Sequence, residues 1–163
     1  MSAFEWPDLP DESVEQPTKE VDTSKEDTET RLETGLPKWS NEELEAVFDA
    51  LMFEGSYKEE IQVNRKLSIV LQTRTGDNAR QVMMMVDKAG VNMGMTAESL
   101  RSLYNLGFSL ASFNGNDLTK MKLDARLKRI EELPSAVIGA LVNKLVEFDL
   151  KVDAAVRHGE ANF

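Results

Sequence analysis

The chain has 163 residues, enough for one domain with a sizeable core, and its 41% hydrophobic and 29% charged content is ordinary for a water-soluble protein. No cysteine is present, which excludes disulfides, thiolate zinc cages and redox thiols, and no apolar run reaches membrane-spanning length, so no membrane partner is expected. The formal net charge of −10 is uneven: residues 1–38 hold 11 acids and 4 bases, residues 39–163 hold 18 acids and 15 bases, and with no basic face in either part nucleic acid is not an expected partner.

Residues 1–38 read as a disordered acidic tail. The stretch TKEVDTSKEDTETRLETG has almost no apolar side chain whose burial could offset the entropy of ordering it. One island, FEWPDLP, carries Phe4, Trp6 and Leu9, and is a candidate docking peptide for a protein partner. The opening MSAFEWPDLPDESVEQ lacks the basic-then-apolar order of a secretory signal, and the absence of cysteine suits a reducing cytosol.

The folded domain is expected over residues 39–157, with 158–163 a frayed end. Ser40 with Glu43 reads as a capping box, Trp39 with Leu44 as a hydrophobic staple, and Gly55 as the stop of a helix whose inner face is Leu44, Val47, Phe48, Leu51 and Met52. The period then drops to two. Tyr57, Ile61 and Val63 alternate with Lys58, Glu60 and Gln62, and Leu67, Ile69 and Leu71 alternate with Ser68, Val70 and Gln72. With NRK as the turn this is a β-hairpin that must pack on helices.

Asp77 is the expected cap of a helix to about Ala89 that buries Ala79, Val82, Met83 and Val86. The run Met83, Met84 and Met85 is also a candidate adaptable binding face. After the loop GVNMGM, Thr96 caps a helix carrying Leu100, Leu103, Tyr104, Gly107, Leu110 and Ala111, closed by NGND. Leu123, Leu127 and Ile130 mark a short helix that ends before Pro134.

Pro134 or Ser135 then starts a long helix. Ile138, Leu141, Leu145, Phe148, Val152 and Ala155 recur at steps of three and four, and Val142, Val146 and Val156 widen the stripe. A wide stripe suits a core, and a seam for self-association or for a partner stays open beside it. The expected class is therefore α+β and mostly helical, with one β-hairpin packed against about five helices.

Residues suited to chemistry are scarce. GVNMG lacks the lysine of a phosphate-binding loop and follows no strand, and no Gly-x-Ser-x-Gly elbow occurs. The one histidine, His158, lies near the C-terminus, where a solvated role is expected. The neighbouring carboxylates Glu42–Glu43, Glu59–Glu60 and Glu131–Glu132 point apart and read as solvated faces. Lys120, Lys122, Arg126, Lys128 and Arg129 form a local basic patch without interleaved aromatics, with Arg126 and Arg129 free to meet Glu131 or the acidic tail. No catalytic, metal or cofactor-binding residue is expected, and the residues point to an adaptor or assembly protein.

The order of segments adds a resemblance. LQTRTGD with Arg74, Thr75 and Gly76 comes first. A small-residue helix from Ala111 to Asn114–Gly115 follows, then Arg126 to Ser135, and a long last helix with Phe148 and Asp149. Over residues 39–157 this resembles small accessory proteins of tailed bacteriophages, notably tail assembly chaperones. The resemblance implies a viral protein without turnover that binds tape-measure or tail-tube subunits in the host cytoplasm before virion assembly. The alternative is a structural virion component, a neck, connector or baseplate subunit. Partner-binding candidates are Leu141, Leu145, Phe148 and Val152 on the last helix, Met83 to Met85, and the Phe4, Trp6 and Leu9 island, with homo-oligomerisation as a further use of the last helix.

Overall fold

The computed structural model describes residues 38–89 and 96–162. The acidic tail, with Phe4, Trp6 and Leu9, lies outside them. Helix α1 (Asn41–Asp49) starts as its sequence dictates: the Ser40 hydroxyl accepts from the Glu43 amide at 3.2 Å, and the Glu43 carboxylate accepts from the Ser40 amide at 2.8 Å. The last turn, Ala50–Glu54, widens to π geometry before Gly55 stops it at φ 71°. That wider turn leaves Met52 and Phe53 exposed (63% and 85%), so Met52 leaves the inner face expected of it.

Strands β1 (Lys58–Asn64) and β2 (Leu67–Gln72) form the expected hairpin, with Ile61 opposite Ile69. Leu67, Ile69 and Leu71 are buried, and alternation puts Ile61, Val63 and also Glu59 on the same face of the sheet. Helix α2 (Gly76–Ala89) follows. Its cap is Thr75 rather than Asp77: Thr75 and Asn78 exchange side chain–backbone hydrogen bonds, while Asp77 accepts from Arg80 and Gln81. Val82 and Val86 are buried, whereas Ala79 and Met83 are exposed, contrary to expectation.

Helix α3 (Ala97–Ser109) is capped by Thr96 as expected but ends sooner. Leu110–Phe113 is a strand, β3, which pairs with β2 and turns back into β4 (Asn116–Asp117), so the hairpin is half of a four-stranded antiparallel sheet in the order β1-β2-β3-β4. The turn is Asn114–Gly115, with φ 47° and 76°, the left-handed pair that a two-residue hairpin loop needs. Asn114 also ties β3 to β2, donating its amide to the Ser68 carbonyl (2.8 Å) and accepting from the Ser68 amide (3.0 Å). Ala111 to Gly115 is thus a strand and turn, not the end of a helix.

Helix α4 (Leu123–Glu131) crosses α3 where Gly107 has no side chain: a Cβ there would lie 2.5 Å from Leu127 Cδ2. Arg126 is buried and donates to the carbonyls of Gly107 (3.0 Å) and Met121 (3.2 Å), so it belongs to this crossing and not to a basic surface. Pro134 separates α4 from α5 (Ser135–Ala161), whose 27 residues span about 40 Å at 1.5 Å per residue. Leu141, Leu145, Phe148 and Ala155 bury one face of α5 beneath the sheet and the other helices. The end is not frayed at residue 158. Gly159 is buried with the Phe48 ring of α1 against its Cα, and His158 Nε2 lies 3.6 Å from Glu45. The described domain is α+β and mostly helical.

Candidate functional site

Of the four binding candidates on the last helix, three are core. Leu141, Leu145 and Phe148 are 0%, 3% and 2% exposed, so no partner reaches them in the folded domain. Phe148 also stacks on Tyr57, with ring centroids 5.7 Å apart and planes 8° from parallel. Val152 is half-buried at the edge of a depression of about 360 Å³ that Arg74, Gly76, Ala79, Asp149 and Asp153 also line. On α2, Met83 and Met84 are 62% and 51% exposed, while Met85 packs against the core.

Part of the α5 stripe reaches solvent, from the seam as well as from the residues that widen it. Val146 is 51% exposed, and Ile138 and Val142 are partly so. A groove of about 680 Å³ separates this part of α5 from α3, with Leu103, Ile138 and Val142 as its apolar surface and Glu98 and Glu131 at its margin. Gly139 lies in it, and a Cβ at Gly139 would meet nothing within 4 Å. A second depression of about 250 Å³, lined by Leu110, Phe113, Leu118, Ile130 and Leu133, opens between the β3–β4 hairpin and the end of α4.

Two polar clusters hold the sheet to α5. Arg74 donates to the Ser109 hydroxyl and to Asp149, both at 2.7 Å, so the end of α3 and the middle of α5 meet at one guanidinium just beyond β2. Asp149 is 39% exposed, which weakens the ion pair, but Ser109 is fully buried. Arg74→Met is therefore expected to cost about 1–2 kcal/mol, chiefly through the orphaned hydroxyl, and Asp149→Asn less, as read from urea unfolding midpoints.

In the second cluster Lys151 Nζ donates to Glu59 at 2.8 Å and stands 5.9 Å from the centre of the Tyr57 ring. Burial would lower the Lys151 pKa, but the hydrogen bond and negative charge of Glu59 outweigh it and hold it above the ordinary lysine value. Burial first, then the Glu59 charge, pushes the Tyr57 phenol up. Glu59 is thus paired beneath the sheet, not solvated.

Among the described residues no three His, Asp or Glu side chains are grouped to hold a metal ion, and no helix is long and apolar enough to cross a membrane. Lys120, Lys122, Lys128 and Arg129 remain exposed, and neither Arg126 nor Arg129 pairs with Glu131. Leu141 and Phe148 lie in the three-four seam of a stripe wide enough to suit a core, and they turn inward. The widening valines are the signal for the exposed flank, and LMFEG, three large apolar residues ahead of a helix-stopping glycine, is the signal for Met52 and Phe53. No family model, curated protein or solved structure matches the chain.

Proposed function

We propose that this chain is a non-enzymatic tail assembly chaperone of a tailed bacteriophage, one that holds an apolar segment of the tape-measure or tail-tube protein in the host cytoplasm until assembly. The observation that carries the reading is the set of large apolar side chains left in solvent by a strongly acidic chain: Met83 and Met84 on α2, Val146 on α5, and Phe53 at the end of α1. Such groups offer contact area to another chain, methionine adapts to varied surfaces, and net negative charge opposes self-aggregation of the carrier. The resemblance in segment order supports the phage assignment.

The test has two parts. Co-expression should raise the soluble fraction of the tape-measure or tail-tube protein, and mass spectrometry of purified particles should not find the chain. Its presence in particles at fixed stoichiometry, without any gain in client solubility, would replace the chaperone with a neck, connector or baseplate subunit.

A further inference from the structure

On the proposed role as a holder of apolar segments rests a more specific one. We propose that the face of α5 from Ile138 to Asp153 is a groove for one amphipathic helix of a partner protein, with an apolar seam flanked by lysine or arginine.

Three observations converge on it. The first is alignment. Ile138, Val142, Val146, Asp149 and Asp153 follow one another at steps of three and four, so they form a single line along α5 beside its buried face. The groove against α3 occupies one end of that line and the depression against the start of α2 the other, with exposed Val146 between them. Fifteen residues of rise span about 22 Å, four turns of a docked helix. The second is chemistry: the surface offered is apolar, through Ile138, Val142, Val146 and Val152, with Ala79 in the same depression as Val152. A line of apolar groups along one helix, walled at each end by other segments, offers the i, i+3, i+4 anchors that helix-in-groove recognition uses.

The third is charge. Glu98 and Glu131 border the groove against α3 and Asp153 the depression against the start of α2, and none forms an ion pair among the described residues. Of the residues lining the two depressions, the sole base is Arg74, already held by Asp149. An occupant with acidic flanks would be repelled at both ends, while one with basic flanks gains in encounter rate and in register. That charge pattern selects the partner class.

Gly139 supplies the test. Its missing side chain faces open space within the groove, so Gly139→Trp should fold, helped by the gain in helix propensity over glycine, and should fill the site. The probes are three labelled 18-residue peptides: leucines at helical seam spacing with lysine flanks, the same peptide with glutamate flanks, and a lysine peptide of equal composition with the leucines scattered. Fluorescence anisotropy with the full chain should show binding of the first, with the other two at least tenfold weaker. Gly139→Trp and Val146→Glu should each weaken it at least tenfold, and Glu98→Gln with Glu131→Gln severalfold. Equal binding of the scattered peptide, or binding that Gly139→Trp leaves intact in a folded variant, overturns the proposal. So does a dimer in sedimentation equilibrium that Gly139→Trp dissociates, since the occupant is then a second copy. Failure here with client solubility still raised on co-expression removes the groove and its charge rule but leaves the chaperone reading standing.

Discussion

Phe148→Ala is expected to destabilise the domain by about 3–5 kcal/mol, the usual loss for deleting a buried aromatic ring, and not to act as a selective binding mutation. Phe148 is 2% exposed, at the centre of the face that α5 turns to the sheet, and it stacks on Tyr57. Removing it leaves a cavity beside the Tyr57 ring, in the core that Leu141, Leu145 and Ile69 also belong to. Against a total stability of about 5–15 kcal/mol this is a large fraction. Guanidinium unfolding should show a clear drop in midpoint for Phe148→Ala, with Phe148→Leu losing less and Val146→Glu nearly unchanged because Val146 is half in solvent. The opposite pattern, with Phe148→Ala stable but unable to hold a client, would mean that this face of α5 opens to partners after all.

That contrast between two neighbouring positions of one helix shows what α5 could and could not reveal by itself. Its start at Pro134 and its apolar period are local properties, as are the Ser40–Glu43 box and the alternation of β1 and β2, and all four stand in the structure. Which part of a wide stripe turns inward is decided by the elements laid against it. Phe148 and Val146 are both large enough and apolar enough to be core, and the sheet covers only the first.

The end of α3 has the same cause. Leu103, Tyr104, Leu110 and Ala111 fit a helical face, but Leu110 leaves the helix to pair with Leu71, a partner 39 positions earlier. A local signal did exist there, since Asn-Gly is the preferred two-residue loop of a hairpin, and it outweighs a helical pattern whose last turn rests on two residues. Arg126, Glu59 and Lys151 were illegible for a different reason. Each is charged and sits among other charged residues in the sequence, so nothing local separates it from a solvated side chain. Its burial depends on a carbonyl or an opposite charge delivered by a distant segment. The candidate groove inherits both limits: its valines were visible as an excess of apolar residues, and its acidic margins became visible only when α3 and α4 were set beside α5.

Lys151→Met is expected to cost about 1–3 kcal/mol, and the double change Lys151→Met with Glu59→Gln less than the two single costs combined. Breaking a buried pair by removing one partner costs about 3–5 kcal/mol because a charge is left without compensation. Here Lys151 is 10% exposed and Glu59 26%, so water reaches the survivor and the lower figure applies. Replacing both partners removes that uncompensated charge, and the coupling energy from the four unfolding curves measures the interaction itself. Its pH dependence follows from the direction of the shifts. Lys151 and Tyr57 both have folded-state pKa values raised above their ordinary 10.5 and 10.0, so each favours the folded chain while protonated. Their contribution is complete below the unfolded values and disappears as pH rises through the folded ones. Unfolding free energies of the wild type and Lys151→Met should therefore differ by a constant amount from neutral pH to about pH 9.5 and converge only as pH rises past about 10.5. A gap that persists undiminished at alkaline pH would show that Lys151 acts through its methylene packing against Tyr57 and not through its charge.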